Sequence, residues 1–148
     1  MRERYFEDTV AGNRFVSDTY DVTEQSIKEF AQQFDPQPFH LDRTAAARDV
    51  FGGLVASGWH TAAISMRLFV RAMNFAEGAV GMGVDELRWP NPVRPGDTLR
   101  LEISIIDARV SRSKPDRGII VIRNVTKNQR DQTVQTLNAV AMVPRRKS

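Results

Sequence analysis

The sequence predicts an α+β fold in which a long central helix is wrapped by an antiparallel sheet. Three observations lead there. Leu99, Leu101, Ile103 and Ile105 alternate with Arg100, Glu102 and Ser104, the period-two pattern of a half-buried strand. Residues 57–74 have helical spacing but are apolar on nearly every side, and a helix apolar almost all round is a buried one. Along the chain come a strand, a helix, a loop, the core helix and then four strands with short turns, an order that favours antiparallel pairing.

The elements follow in order. Residues 14–22 read as a first strand, with Phe15, Val16, Tyr20 and Val22 as its large apolar members. Thr23 is an N-cap type and Glu24 suits a first helical turn. Ile27, Phe30, Ala31 and Phe34 then fall on one helical face. Pro36 and Pro38 forbid continuation, so the helix ends at Phe34 and residues 35–40 form a stiff, non-helical loop. Asp42 caps a short helix over residues 43–48, and Gly52-Gly53 breaks the chain. Ser57 caps the core helix, whose one polar stripe is His60, Arg67, Arg71 and Asn74, which places His60 in a semi-exposed or interfacial position. In residues 79–89, Val80, Met82 and Val84 alternate with Gly81 and Gly83, glycines that would let another backbone or the core helix come close. Turns at residues 91–97 and 113–118 separate further strands over residues 119–127 and 133–143. The basic tail, residues 144–148, is expected to fray.

The 148 residues fit one domain, 1–148, with no repeat or linker. There is no cysteine, hence no disulfide, thiolate nucleophile or cysteine metal site, in keeping with a reducing cytoplasm. The charged N-terminus has no apolar stretch of the signal-peptide kind, and the most apolar run, residues 54–70, is too short to span a bilayer. The net charge of +3 is modest, and no basic stripe with interleaved aromatics suggests nucleic acid. The excess suits a small phosphate-bearing anion instead.

Chemistry concentrates at two places. Asp35-Pro36-Gln37-Pro38-Phe39-His40 holds a carboxylate and one of only two imidazoles on a restrained bend, as proton-transfer groups require. Gly53-Leu54-Val55-Ala56-Ser57-Gly58-Trp59-His60 leads into the start of the core helix. The first N–H groups of a helix lack intrahelical partners and carry partial positive charge, and Gly58 has no side chain to screen its own. A carboxylate, an imidazole and an amide donor brought together could add water across a double bond conjugated to a carbonyl.

The order and identity of these segments resemble the MaoC-like dehydratases and (R)-specific enoyl-CoA hydratases of the hotdog fold. Their motif runs Asp-x-Asn-Pro-hydrophobic-His, an Ala-rich spacer, then a His-Gly-Met-like turn into the central helix. Asp35, Pro38 and His40 match it; Gln37 stands for Asn, Phe39 for Ile or Leu, and Ser57-Gly58-Trp59 for the turn. Pro92-Val93 and Gly96-Asp97 resemble the strand–turn signature that follows. The resemblance implies Asp35 and His40 as the catalytic pair and Gly58 as the donor to a thioester oxygen, with Ser57, Trp59 and Gln37 contacting substrate. It also implies a CoA or carrier-protein thioester, a homodimer or higher homo-oligomer whose sheets join, and no metal, redox cofactor or covalent intermediate. Gln37 is a methylene longer than Asn, and Trp59 is bulkier than Met and would shorten an acyl pocket. A thioesterase and a non-catalytic acyl-thioester-binding protein are the rival functions on such a fold.

Other residues read more plainly. Ser57 is a cap rather than a nucleophile, since no base held by a third group is evident. Two separated histidines and no acidic cluster argue against a metal site. Asp97 is a turn residue. Arg112, Lys114 and Arg117 could meet CoA phosphates, but a solvated hairpin tip is the better account of them.

Overall fold

Leu99, Leu101, Ile103 and Ile105 all lie on the buried face of their strand, and that face sets the inside of the molecule. A computed structural model describes residues 2–148. After a 3-10 turn at Phe6–Asp8 come β1 (Arg14–Asp21), α1 (Glu24–Phe34), α2 (Pro38–Leu41), α3 (Arg43–Ala47) and the central helix α4 (Gly58–Met73). The remainder is β2 (Val80–Arg88), β3 (Thr98–Val110), β4 (Arg117–Lys127) and β5 (Thr133–Pro144). The five strands form one sheet in the order β1-β3-β4-β5-β2, every neighbour antiparallel. α4 packs against β1, β3 and β5, the helix-in-sheet arrangement expected of a hotdog fold.

Local chemistry explains the boundaries. Thr23 Oγ1 accepts the Ser26 N–H at 3.1 Å and starts α1. Asp42 accepts N–H groups from Thr44 and Ala45 and starts α3. Ser57 caps α4, and Asn74, in the left-handed region at φ 46°, ends it. Asp97 closes the turn before β3, accepting the Arg94 N–H at 2.9 Å.

The structure corrects several expectations. Residues 38–41 form a helical turn, so His40 does not sit in a non-helical loop. Pro38 stands at the first helical position, where its missing N–H has no intrahelical acceptor to lose and its fixed φ is already helical. Phe34 is largely exposed, resting against Phe30. α4 is not covered on all sides: Trp59, Met66 and Val70 are exposed, next to the equally exposed Val80, Met82 and Val84 of edge strand β2. A methyl built on Gly81 or Gly83 would meet nothing within 4 Å, so these glycines admit no close neighbour from their own chain. The tail is tied back as far as Arg146: Arg145 pairs with Glu7 at 3.1 Å and Arg146 with Asp8 at 2.8 Å. Arg117 pairs with Glu77, just beyond the C-terminal end of α4, which places the 111–116 turn at the opposite end of the helix from Gly58.

Leu101 faces α4 with no exposed surface. Leu101→Ala is expected to lower unfolding stability by about 2–5 kcal/mol, through lost transfer energy plus the cavity left behind. A urea midpoint shift at unchanged slope checks it.

Candidate active site

α1 and α4 run toward one another, and the ends that meet carry the candidate residues. Asp35 is the C-cap of α1, and Ser57-Gly58 is the start of α4. Between them α2 presents His40, which is buried. Its Nδ1 lies 2.7 Å from the Val55 carbonyl oxygen. That oxygen can only accept, so Nδ1 carries a hydrogen and the nitrogen free to exchange one is Nε2. Nε2 lies 3.1 Å from Asp35 Oδ2. The Val55 N–H in turn donates to the Phe39 carbonyl at 3.1 Å, so α2 grips one residue through both its backbone groups.

Asp35 sits among donors. Gln37 Nε2 donates to Oδ1 at 2.6 Å, and the Ser57 hydroxyl also donates to the carboxylate. Burial alone would raise the Asp35 pKa. The bonds from Ser57 and Gln37, with the charge and hydrogen bond of His40, outweigh it and hold the carboxyl below its ordinary 3.8. Ser57, fully buried, also accepts the Trp59 N–H at 3.3 Å, so one hydroxyl joins the carboxylate to the helix cap.

These groups open on a cavity of about 350 Å³. Asp35, Gln37, His40, Gly58 and Trp59 all line it; Ser57 does not, and acts through Asp35. Phe39, Phe51, Val55, Pro92 and Val93 make the wall mostly apolar. Trp59 is 59% exposed and meets Trp89 edge-on at 5.4 Å between centroids, so it borders the opening. Gly58 is more constrained than its sequence context suggests. A methyl there would stand 2.6 Å from the Trp89 ring, so the absent side chain makes room for Trp89. Trp89 Nε1–H donates to Gln135 Oε1 at 2.9 Å, which fixes the ring. The sequence reading missed Trp89 and Gln135. The available signal was an indole N–H that needs an acceptor once its ring is covered.

His60 is not semi-exposed. It keeps 6% of its surface and stacks on Phe30 at 4.8 Å with planes 8° apart, joining the first turn of α4 to α1. Arg67 and Arg71, further along the stripe, are exposed beside β1, over the Tyr20 ring and 3.5 Å from Asp18 respectively. Burial, and then the nearby charge of His40, hold the His60 pKa below 6.5. Among the described residues no group of three or more His, Cys, Asp or Glu is placed to hold a metal ion. No described helix is long and apolar enough to cross a membrane.

Because the His60 pKa is lower folded than unfolded, the unfolded chain takes up the proton first. Stability is therefore full above about pH 6.5 and falls as pH drops below it toward the folded value. His60→Phe keeps an aromatic partner for Phe30 and removes the titration. Its melting temperature is expected to change less than that of the wild type between roughly pH 7.5 and pH 5. An equal fall in both proteins would refute this.

Residues 7–129 match the family model described as MaoC like domain. A MaoC-like dehydratase from Rhodospirillum rubrum superposes with a TM-score of 0.92 at 49% identity, over 98% of this chain and 99% of that one. An R-hydratase from Pseudomonas aeruginosa shares the fold at 23% identity, with a TM-score of 0.79 over 96% of this chain and 86% of that one. In sequence, 94 residues are 32% identical to the 3-hydroxyacyl-thioester dehydratase Z of Mycobacterium tuberculosis, 61% of this chain and 62% of that protein. With the family match spanning most of its length and the helix wrapped in one antiparallel sheet, the chain is a member of the MaoC-like family of hotdog proteins.

Proposed function

We propose that the protein reversibly hydrates trans-2-enoyl thioesters, carried on CoA or a carrier protein, to 3-hydroxyacyl thioesters. The observation that carries this reading is the 3.1 Å approach of His40 Nε2 to Asp35, on the wall of an apolar cavity that Gly58 also lines. The thioester carbonyl accepts the first N–H of α4, where the helix dipole favours the negative charge of an enolate. A water on the cavity side of the pair is held by Asp35 and His40 Nε2 together. Its oxygen bonds to the β-carbon, one of its protons passes to the site, and the α-carbon takes a proton as the enolate collapses. Asp35, whose carboxyl is held below its ordinary range by the Ser57 and Gln37 side chains against the effect of burial, is a weak base near neutrality, which leaves Nε2 to exchange the proton. The similarity to a 3-hydroxyacyl-thioester dehydratase supports the substrate class.

We further propose a homodimer joined along β2. That strand is a sheet edge with a free row of backbone groups, and its apolar side chains continue the exposed apolar strip of α4. Such an edge on a lone subunit would be an aggregation site.

Asp35→Asn and His40→Ala are each expected to cut hydration of a crotonyl-type thioester by about 10²–10⁴-fold with the fold intact. Loss of enoyl absorbance measures it, and near wild-type turnover in either variant would remove the assignment. No thiol should be released, whereas a thioesterase would liberate it. Val84→Lys on the β2 edge is expected to halve the mass seen by light scattering. An unchanged mass would place the association elsewhere.

A further inference from the structure

β2 does not run evenly to its end. Asp85 pairs with Asn138 and Arg88 with Thr136, so three steps along β2 span two along β5. One residue is extra, and Glu86 takes the left-handed region at φ 54° to accommodate it. That conformation is strained for a residue with a side chain. Asn138 Nδ2 donates to Glu86 Oε2 at 3.0 Å and pins the bulge. An extra residue moves every later side chain to the other face of the sheet. Val84, before the bulge, shares a concavity with Met66 and Phe69 of α4. Trp89 is five residues on, and in an even strand it would point to the opposite face. With the bulge it turns back to α4 and lies against Gly58.

Gln135 accepts a second cost for the same ring. It is 1% exposed, and it gives Oε1 to the Trp89 indole N–H while its Nε2 has no partner. A buried donor left alone costs stability. Asn91 Nδ2 donates to the Thr133 carbonyl at 2.9 Å, which ties the chain just beyond the ring to β5. A strained bulge and an unpaired amide thus converge on the placing of one side chain. That ring fills the position of a Gly58 methyl and lines the cavity of Asp35 and His40.

We infer that Trp89 is a positioning residue for the Gly58 amide. The inference rests on the hydratase reading and adds a residue to that site. The ring covers the Cα side of Gly58 and leaves the N–H as the approach for a thioester oxygen. It sets the first turn of α4 against β5 through Gln135, and it keeps water from one side of the donor. A donor stabilises developing enolate charge most when it is fixed beforehand and shielded from water. The effect therefore falls on the transition state rather than on substrate binding.

The test is a cycle on Gly58 and Trp89, read by hydration of crotonyl-CoA and by thermal melts. Trp89→Leu is expected to lower kcat about tenfold and to change KM less than about twofold. Gly58→Ala is expected to lower both kcat and the melting temperature, since its methyl meets the ring. Adding Trp89→Leu to Gly58→Ala makes room for the methyl, and both quantities are expected to rise above those of Gly58→Ala alone. Gln135→Met keeps the ring and removes its acceptor, and is expected to lose part of the same kcat. It carries the kinetic measurement if Trp89→Leu does not fold. An unchanged kcat overturns the inference, and a raised KM beside it would make Trp89 only a wall that the substrate touches. Additive effects of the Gly58 and Trp89 substitutions overturn it as well. A wild type that does not turn over crotonyl-CoA instead sinks the hydratase reading, and this role with it.

Discussion

The hydrogen bond from His40 Nδ1–H to the Val55 carbonyl holds the site together. It fixes the ring by its inner nitrogen and so aims the other at Asp35. It also ties α2 to the segment that becomes α4 three residues later, together with the return bond from Val55 N–H to Phe39. A carboxylate at the end of one helix and an amide at the start of another would otherwise depend on flexible connections. Ser57 adds a second tie, since the hydroxyl that caps α4 also donates to Asp35. Phe30 and His60 add a third, apolar one beneath the pair. Relative placement of two helix ends to within a few tenths of an ångström is what proton transfer requires, and here it rests on three short contacts rather than on one.

Much of this was legible in the residues. The alternation from Leu99 to Ile105, the caps at Thr23, Asp42 and Ser57, and the end of α1 at Phe34 are local signals, and the structure repeats them. Asp35 and His40 could be paired from the motif because α2 brings them together over only five residues. What escaped depends on distant parts of the chain. His60 looked polar on a helical wheel, but α1 folds back to stack Phe30 on it. Trp59, Met66 and Val70 looked like core because the pattern records apolarity and not what covers it. The helical turn at Pro38 escaped for a different reason: the two prolines were weighed as helix breakers, whereas a proline in the first turn starts a helix as readily as it ends one.

Gly58 shows how one sequence signal can have two physical causes. Its bare backbone fits an amide that meets a ligand, yet the Trp89 ring occupies the place of its missing methyl. The two uses are compatible because they concern different directions from the same residue, the N–H along the helix axis and the Cα hydrogens to its side. Gln135 orients Trp89 through the indole N–H, so the shape of the cavity wall is set from β5. Gln37 has a comparable double character. As a longer residue than the family's Asn it could have displaced the bend, but its extra reach carries its amide to Asp35 Oδ1.

The buried polar groups without partners are informative by where they lie. Among the described residues they are Arg4 Nε, His60 Nδ1, Asn124 Oδ1 and Gln135 Nε2. His60 belongs to α4, Asn124 to β4 and Gln135 to β5. Folded chains satisfy most such groups, because each one left alone costs about 1–3 kcal/mol. Gln135 is used through its oxygen, which holds the Trp89 indole beside Gly58, so its unpaired amide nitrogen accompanies the orientation of the cavity wall. The interior under β3 is apolar, with Leu99, Leu101, Ile103 and Ile105 in one cluster with Ile64 and Leu68 of α4, and that part of the protein supplies rigidity.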